Sequence, residues 1–311
     1  MPPDSPDSLP PSFPYAPVAI VGAGAVGTAL GRRLVDAGIP VCAVLNRSQE
    51  KAQALARRLD ADVAATRPDA LPEAARAAFL CVPDDAIAAV ARRLAAGGRD
   101  WAGTLVAHTS GVHTAAELNA LREGGSRALS FHPMHPFTPD TPPDAFEGMV
   151  IGIEGDDAAV EAGCTLADRL GARPVALTDA SKPLYHAAAA LASNGLVALM
   201  GAVRRVLAAA DIEGDDADAL LTPLVEATWR NLQTASPESA LTGPAARGDQ
   251  GTIQAHLTAL AAERPGIRPL YTALTAEMTR LAERDGRLDA STARTVRRLL
   301  ADGSPPAPTE S

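Results

Sequence analysis

Ser130-Phe131-His132-Pro133-Met134-His135-Pro136-Phe137 packs two imidazoles and two prolines into eight residues. Proline fixes φ and removes a backbone donor, so the chain that carries the two rings has few conformations open to it. Histidine exchanges protons near neutral pH because its ordinary pKa is about 6.5. A hydride moved to or from a carbonyl or imine must be accompanied by a proton, and a placed imidazole can handle it. A metal site would need a third ligand, and no nearby residue has the spacing for one. His132 is therefore read as an acid/base and His135 as a hydrogen-bonded structural histidine.

A second group with chemistry lies in TDASKPLYHAAAALASN, a helix that must begin near Lys182 because Pro183 fits only a first turn. Lys182 and His186 are four residues apart on one face, and at about 3.6 residues per turn Ser193 falls back onto the face of Lys182, whereas Asn194 does not. The chain has 28 lysines plus arginines, of which only Lys51 and Lys182 are lysine. Where arginine is the default cation, a retained lysine points to use of its titratable amine, and a helix N-terminus lowers an amine's pKa. The bland alternative is a solvated first-turn lysine. Further on, Gly243-Pro244 breaks a helix and Asp249 can cap the next. Arg247 between them either grips an anionic substrate group or forms a structural ion pair.

A third constellation can hold a cofactor. Gly22-Ala23-Gly24-Ala25-Val26-Gly27 follows an apolar strand and opens a helix. In that context the first glycine permits a tight turn, the second admits a pyrophosphate and the third lets helix pack on strand, with phosphate on the helix N-terminus. An NAD site usually places an acidic residue about 20 residues further on; here Asn46-Arg47-Ser48 stands there. A carboxylate would repel a 2′-phosphate, whereas Arg47 can pair with one and Asn46 and Ser48 can donate to it. NADP(H) is favoured over NAD. The alternatives are a solvated Arg47, a Ser48 that only caps the next helix, and a methyltransferase-type loop. Val82-Pro83 and the His108-Thr109-Ser110-Gly111 turn end two further strands, where open sheets bind ligands. Ser110 is a candidate for the substrate, and Cys81 and His108 are read as packing residues.

The elements that position these groups alternate strand and helix from Ala16 to Leu177, which means a doubly wound, mostly parallel α/β sheet. Thr114 and Glu117 have the spacing of a capping box. From Asp179 to about Ala301 the pattern is helical throughout, with breaks expected at Pro223, Pro237, Pro244 and Pro265-Gly266. The expected organisation is a disordered leader over residues 1–15, an α/β cofactor-binding domain over 16–178, an all-α substrate and dimerisation domain over 179–302, and a disordered tail over 303–311. Seven prolines in the first 17 residues, without a basic and then apolar run, argue against a signal peptide. Pro183 to Val203 carries no formal charge. His186, Ser193 and Asn194 within it, and its many alanines, favour a buried helix over a membrane span.

A net charge of −9 speaks against nucleic acid as the main partner. Cys42, Cys81 and Cys164 have neither a disulfide nor a metal spacing. A reducing, cytoplasmic setting, a small-molecule substrate and no bound metal are the expectations.

Taken together, Gly22–Gly27, His108–Gly111, Phe131–Met134, Lys182–Asn194 and Gly243–Asp249 resemble a family of Rossmann-like proteins that carry a C-terminal domain of unknown function, DUF2520. The resemblance spans roughly residues 16 to 280, and it implies an NAD(P)-dependent oxidoreductase whose substrate is unassigned. The layout is more distantly similar to the 6-phosphogluconate, ketopantoate reductase, pyrroline-carboxylate reductase and prephenate dehydrogenase group. Prephenate dehydrogenases use the histidine of an HPM motif, a place that His132 matches. Where they have a Ser-His pair this chain has Ser193-Asn194, and where hydroxyacid dehydrogenases have lysine and asparagine it has Lys182 and His186. The resemblance implies a homodimer. On this reading His132, Lys182 and His186 carry the chemistry, while Ser110, Ser193, Asn194 and Arg247 meet the substrate. The rival is a non-catalytic protein that senses NADP(H).

Overall fold

The computed structural model describes residues 13–302, which divide into two compact units, one up to Ser193 and one from Asn194. The first is a single eight-stranded sheet. Its strands are β1 (Val18–Val21), β2 (Val41–Leu45), β3 (Val63–Ala65), β4 (Ala77–Leu80), β5 (Leu105–His108), β6 (Arg127–Pro133), β7 (Val150–Gly155) and β8 (Arg173–Ala176), in the order β3-β2-β1-β4-β5-β6-β7-β8. All neighbours are parallel except β6 and β7. Helices α1 (Ala25–Asp36), α2 (Gln49–Leu59), α3 (Ile87–Ala95), α4 (Asn119–Arg122) and α5 (Asp157–Arg169) cover it.

The central strands read VAIV, AAFL and LVAH because both of their faces are buried. Two cores result. Leu30, Leu55, Phe79, Phe131, Ile153 and Leu166 belong to the one beneath α1, α2 and α5. Leu80, Ile87, Leu94, Val106 and Leu118 belong to the other, beneath α3 and α4. Alternation along β6 and β7 therefore sends Phe131 and Ile153 to the first side and leaves Ser130, His132, Gly152 and Glu154 on the second.

Several sequence expectations need correction. β3 was missed: it is three residues of Val-Ala-Ala with no alternation to mark it. The capping box is not formed. Thr114 makes no side-chain cap, and Glu154 of β7 accepts from Ala115 N at 2.8 Å instead, so a carboxylate from the sheet satisfies the orphan donor. Of the leader expected over 1–15, residues 1–12 lie outside the described residues, as does the expected tail. Phe13 and Tyr15 are buried, their rings 5.7 Å apart on the first core.

After β8, α6 (Lys182–Ala190) runs through a widened π-type turn (Leu191–Gly195) into α7 (Leu196–Ala208). The division between units falls inside this turn, later than Thr178. A π-type turn takes up extra residues, so the helical phase that set Ser193 on the face of Lys182 does not carry past Ala190. Nor is this a buried helix within the chain. The run Lys182–Ala208 is long and apolar enough to cross a membrane, with only 6% of its apolar window buried. Leu184, Leu191 and Val197 are 76%, 75% and 73% exposed.

The second unit is all-helical. It holds α7, α8 (Gly214–Thr234), α9 (Pro237–Ala240), α10 (Pro244–Arg247), α11 (Gln250–Glu263), α12 (Arg268–Arg284) and α13 (Ala290–Asp302). Pro223 does not break α8, which continues around it. Pro237 and Pro244 open their helices, where a missing N–H is an orphan anyway. Ile253, Leu257, Val296 and Leu300 form its core, while Leu224 and Trp229 of α8 are 59% and 61% exposed.

Candidate functional site

At the carboxyl ends of β1, β2 and β4 lies a cleft of about 730 Å³ lined by Gly22, Gly24, Asn46, Arg47, Ser48, Val82 and Pro83, among others. Each glycine of the loop has a different reason. Gly22 sits at φ +111°, and a Cβ there would stand 2.2 Å from the carbonyl oxygen of Cys81. Gly27, in the first turn of α1 after Ala25 and Val26, allows the helix to pack on the turn: its Cβ would stand 2.0 Å from Gly22 O. Gly24 has neither reason. Its φ of −87° suits any residue, and a Cβ would meet nothing within 4 Å.

The end of β2 is built differently from the sequence expectation. Asn46 does not present its amide outward: Oδ1 accepts from Ala23 N at 3.3 Å, and Nδ2 donates to Ser48 O at 3.2 Å. It ties the glycine loop to the start of α2. Ser48 is the N-cap of α2, its Oγ accepting from Lys51 N at 3.3 Å. Arg47 is exposed at the cleft. Lys51, also exposed, and Arg93 join its lining. Both were missed, although Lys51 is the residue one turn beyond the Ser48 cap.

The second cluster stands where β5, β6, β7 and α6 meet. Lys182 is fully buried, and its Nζ donates to Ser130 Oγ at 2.7 Å and to Ser110 O at 3.1 Å. Ser130 Oγ in turn donates to Ser110 O at 3.1 Å. Ser110 Oγ accepts from Val112 N and His113 N, so its hydroxyl holds its own turn. These bonds pin the His108–Gly111 turn to β6 and α6. The solvated first-turn lysine is thus not what forms. Burial, foremost, holds the Lys182 amine down at about 8, against the opposing pull of Glu154, Asp84 and Asp179. Glu154, buried, has its carboxyl pushed up, foremost by burial and then by the nearby Asp179 charge. With no exposed surface, the Lys182 amine touches Ser110 and Ser130.

His132 faces the same region. Its Nδ1 lies 3.3 Å from the Tyr185 hydroxyl, and its ring meets those of Tyr185 and His186 edge to face, at 5.6 and 5.8 Å. Burial and the Lys182 charge hold it down at about 4, so the ring is neutral at neutral pH. Gly111 makes the close approach of the two imidazoles possible: its Cβ would stand 2.4 Å from His186 Cδ2 and 2.8 Å from His132 Nε2. His135 is exposed, its ring against Phe137 at 5.1 Å. His108 is fully buried, donating from Nε2 to Thr114 O and accepting at Nδ1 from Ser110 N. Burial also pushes the Cys81 thiol up to about 12, which leaves it inert.

Ser193 is half-buried in the widened turn. Asn194 and Arg247 belong to the second unit, and both are exposed, Arg247 at the end of α10. Tyr185, Ser130 and Glu154 were missed. A glutamate inside VIGIEG was the available signal, since a carboxylate amid strand apolars needs a partner. Among the described residues, no group of three or more His, Cys, Asp or Glu is placed to hold a metal ion.

A Rossmann-like domain model matches residues 2–133, and the model of a domain of unknown function, DUF2520, matches residues 149–278. Among curated proteins the chain has no match. Among solved structures it is similar to a protein from Bacteroides fragilis provisionally described as an NADP oxidoreductase, at 25% identity and TM-score 0.71, over 86% of this chain and 100% of that one. It is similar to a protein from Thermotoga maritima at 24% identity and TM-score 0.70, over 87% and 100% of the two chains. An imine reductase from Myxococcus stipitatus in complex with NADP+ follows at 19% identity and TM-score 0.60, over 89% and 98%. At those last two identities the likeness shows the fold.

Proposed function

We propose that this chain, a Rossmann-like domain followed by a DUF2520 domain, is an NADP(H)-dependent oxidoreductase that moves a hydride to or from a small carbonyl, imine or hydroxy acid. The observation that carries the reading is Gly24: neither its backbone nor its neighbours require glycine, and it borders a cleft with Arg47 and Lys51 on its rim. A glycine that nothing inside the protein requires leaves room for something outside it, and a pyrophosphate on the N-terminus of α1 fits that room. When bound, the nicotinamide would supply or take the hydride.

The chain's own residues have distinct tasks. Arg47 and Lys51 face the 2′-phosphate, with Ser48 between them. Gly22, Gly27 and Asn46 hold the loop in shape, and Val82-Pro83 lines the nicotinamide half. His132 handles the proton, with His186 beside it. Lys182 and Ser110 keep the turn beneath them in place. The Bacteroides fragilis protein's NADP oxidoreductase description supports this reading.

A homodimer belongs to the same proposal. The exposed apolar side chains of α6, α7 and α8 would be costly to leave in water, and a second copy would cover them. So does a reducing, cytoplasmic setting for free Cys42, Cys81 and Cys164.

The test is incubation with NADPH and a panel of carbonyl acids and imines, following loss of the reduced-nicotinamide absorbance. Turnover that His132→Gln abolishes, with NADPH binding intact, is expected. Binding without turnover of any panel member would favour the sensor instead.

A further inference from the structure

The register of β6 against β7 sets Gly152 opposite His132. A Cβ at Gly152 would stand 2.8 Å from both Cζ and the hydroxyl oxygen of Tyr185, and 2.9 Å from Leu177 Cδ1. The absent side chain is the slot through which a phenol on α6 reaches an imidazole on β6. Burial, foremost, pushes the Tyr185 phenol up to about 12, so it keeps a hydrogen to donate. Its hydroxyl lies 3.3 Å from His132 Nδ1, the partner within its reach. On the far side of the ring, Nε2 has no hydrogen-bond partner among the described residues and lies at the bare Cα of Gly111. A neutral imidazole has one N–H, so which nitrogen bears it decides what the ring can do.

We propose that Tyr185 is the positioning residue of His132: its O–H, donated to Nδ1, holds the tautomer with hydrogen on Nε2 and so makes Nε2–H the group that faces the substrate. This rests on the reading of His132 as the proton-handling residue and adds which atom does it. In the reducing direction a hydride adds to the carbonyl carbon while the Nε2–H bond breaks and the new O–H bond forms. Nδ1 takes the Tyr185 hydroxyl hydrogen in the same step. The phenolate recovers its proton from water, and exchange with water returns the hydrogen to Nε2. A neutral imidazole can serve as the electrophilic donor when its surroundings keep it uncharged.

The experiment is 15N-resolved NMR of the imidazoles in the full chain, with His132→Gln identifying the His132 signals among the six histidines. The wild type is expected to show His132 protonated at Nε2 and bare at Nδ1. Tyr185→Phe, which keeps the ring and removes the hydroxyl, is expected to give a mixture of tautomers while NADPH affinity stays unchanged. For any substrate the protein turns over, kcat should fall by about 2- to 12-fold, the worth of one neutral hydrogen bond, at constant KM. A wild-type His132 protonated at Nδ1, or a Tyr185→Phe spectrum with the same tautomer, overturns the proposal. The wild-type spectrum decides it even if the variant fails to fold. It also decides it if no substrate is ever turned over, a result that would count against the enzymatic reading alone.

Discussion

Gly22 and Gly24, two residues apart in the same loop, should fail in opposite ways when each is changed to alanine. At Gly22 the added Cβ would lie 2.2 Å from a backbone oxygen of Cys81, at φ +111°. Backbone cannot rotate out of the way as a flexible side chain can. The conformational cost at such a φ is about 1–3 kcal/mol, and displacement of the β4 end adds to it, so Gly22→Ala should lower stability by about 3 kcal/mol or more. At Gly24 the Cβ meets no protein atom within 4 Å, so Gly24→Ala should leave the thermal midpoint unchanged. It should nevertheless obstruct the pyrophosphate. A methyl group in a fitted contact costs about 1–3 kcal/mol, which is about 5- to 150-fold in NADPH affinity. Thermal unfolding and fluorescence titration with NADPH of both variants separate the two effects. A Gly24→Ala protein that binds NADPH as the wild type does would refute the reasoning, because the open space would then not be the cofactor's. A Gly22→Ala protein of wild-type stability would refute the steric half.

Replacing Arg47 and Lys51 together with alanine should cost NADPH about 1.5–3 kcal/mol of affinity, as for lost bonds to a charged group, and leave NADH unaffected; competitive titration checks this, and an equal loss for both cofactors would remove the 2′-phosphate assignment. Lys182, held at about 8 against an ordinary 10.5, sheds its proton in the folded state before the unfolded state does. Stability should therefore rise by up to about 3 kcal/mol between pH 8 and 10.5 in the wild type, a slope absent from Lys182→Met in urea titrations; parallel curves for the two proteins would contradict the burial argument. His108, pushed down by burial to about 4 from 6.5, is neutral when folded and charged when unfolded across that window, so it draws stability down by up to about 3 kcal/mol as pH falls from 6.5 to 4. His108→Gln should flatten that acid limb, and an unchanged limb would assign the loss elsewhere.

What could be read from sequence followed from strong local signals. The strands of the sheet's centre are buried on both faces and so appear as unbroken apolar runs, and the glycine loop carries its own context in a strand before and a helix after. β3 is too short for any period to register, and Pro223 sits inside α8, which continues around it. The tertiary partners were harder. Thr114-x-x-Glu117 has the right spacing for a capping box, yet Glu154, 39 positions away, takes the donor. Lys182 was singled out by its rarity, but the cause of its lowered pKa is burial, which only the folded contacts with Ser110 and Ser130 reveal. Tyr185 was invisible because its meaning depends on a glycine across the sheet. The same applies to Asn46, whose amide looked free for a ligand and instead braces the loop.

One titration decides whether the cleft takes NADP(H): the purified wild-type chain with NADPH and, separately, with NADH. Saturable NADPH binding in the roughly micromolar range, with NADH at least about 10-fold weaker, is the expected result for a cleft in which Arg47 and Lys51 meet a 2′-phosphate. No binding of NADPH, or NADH bound as tightly, would contradict the assignment of the cleft to NADP(H).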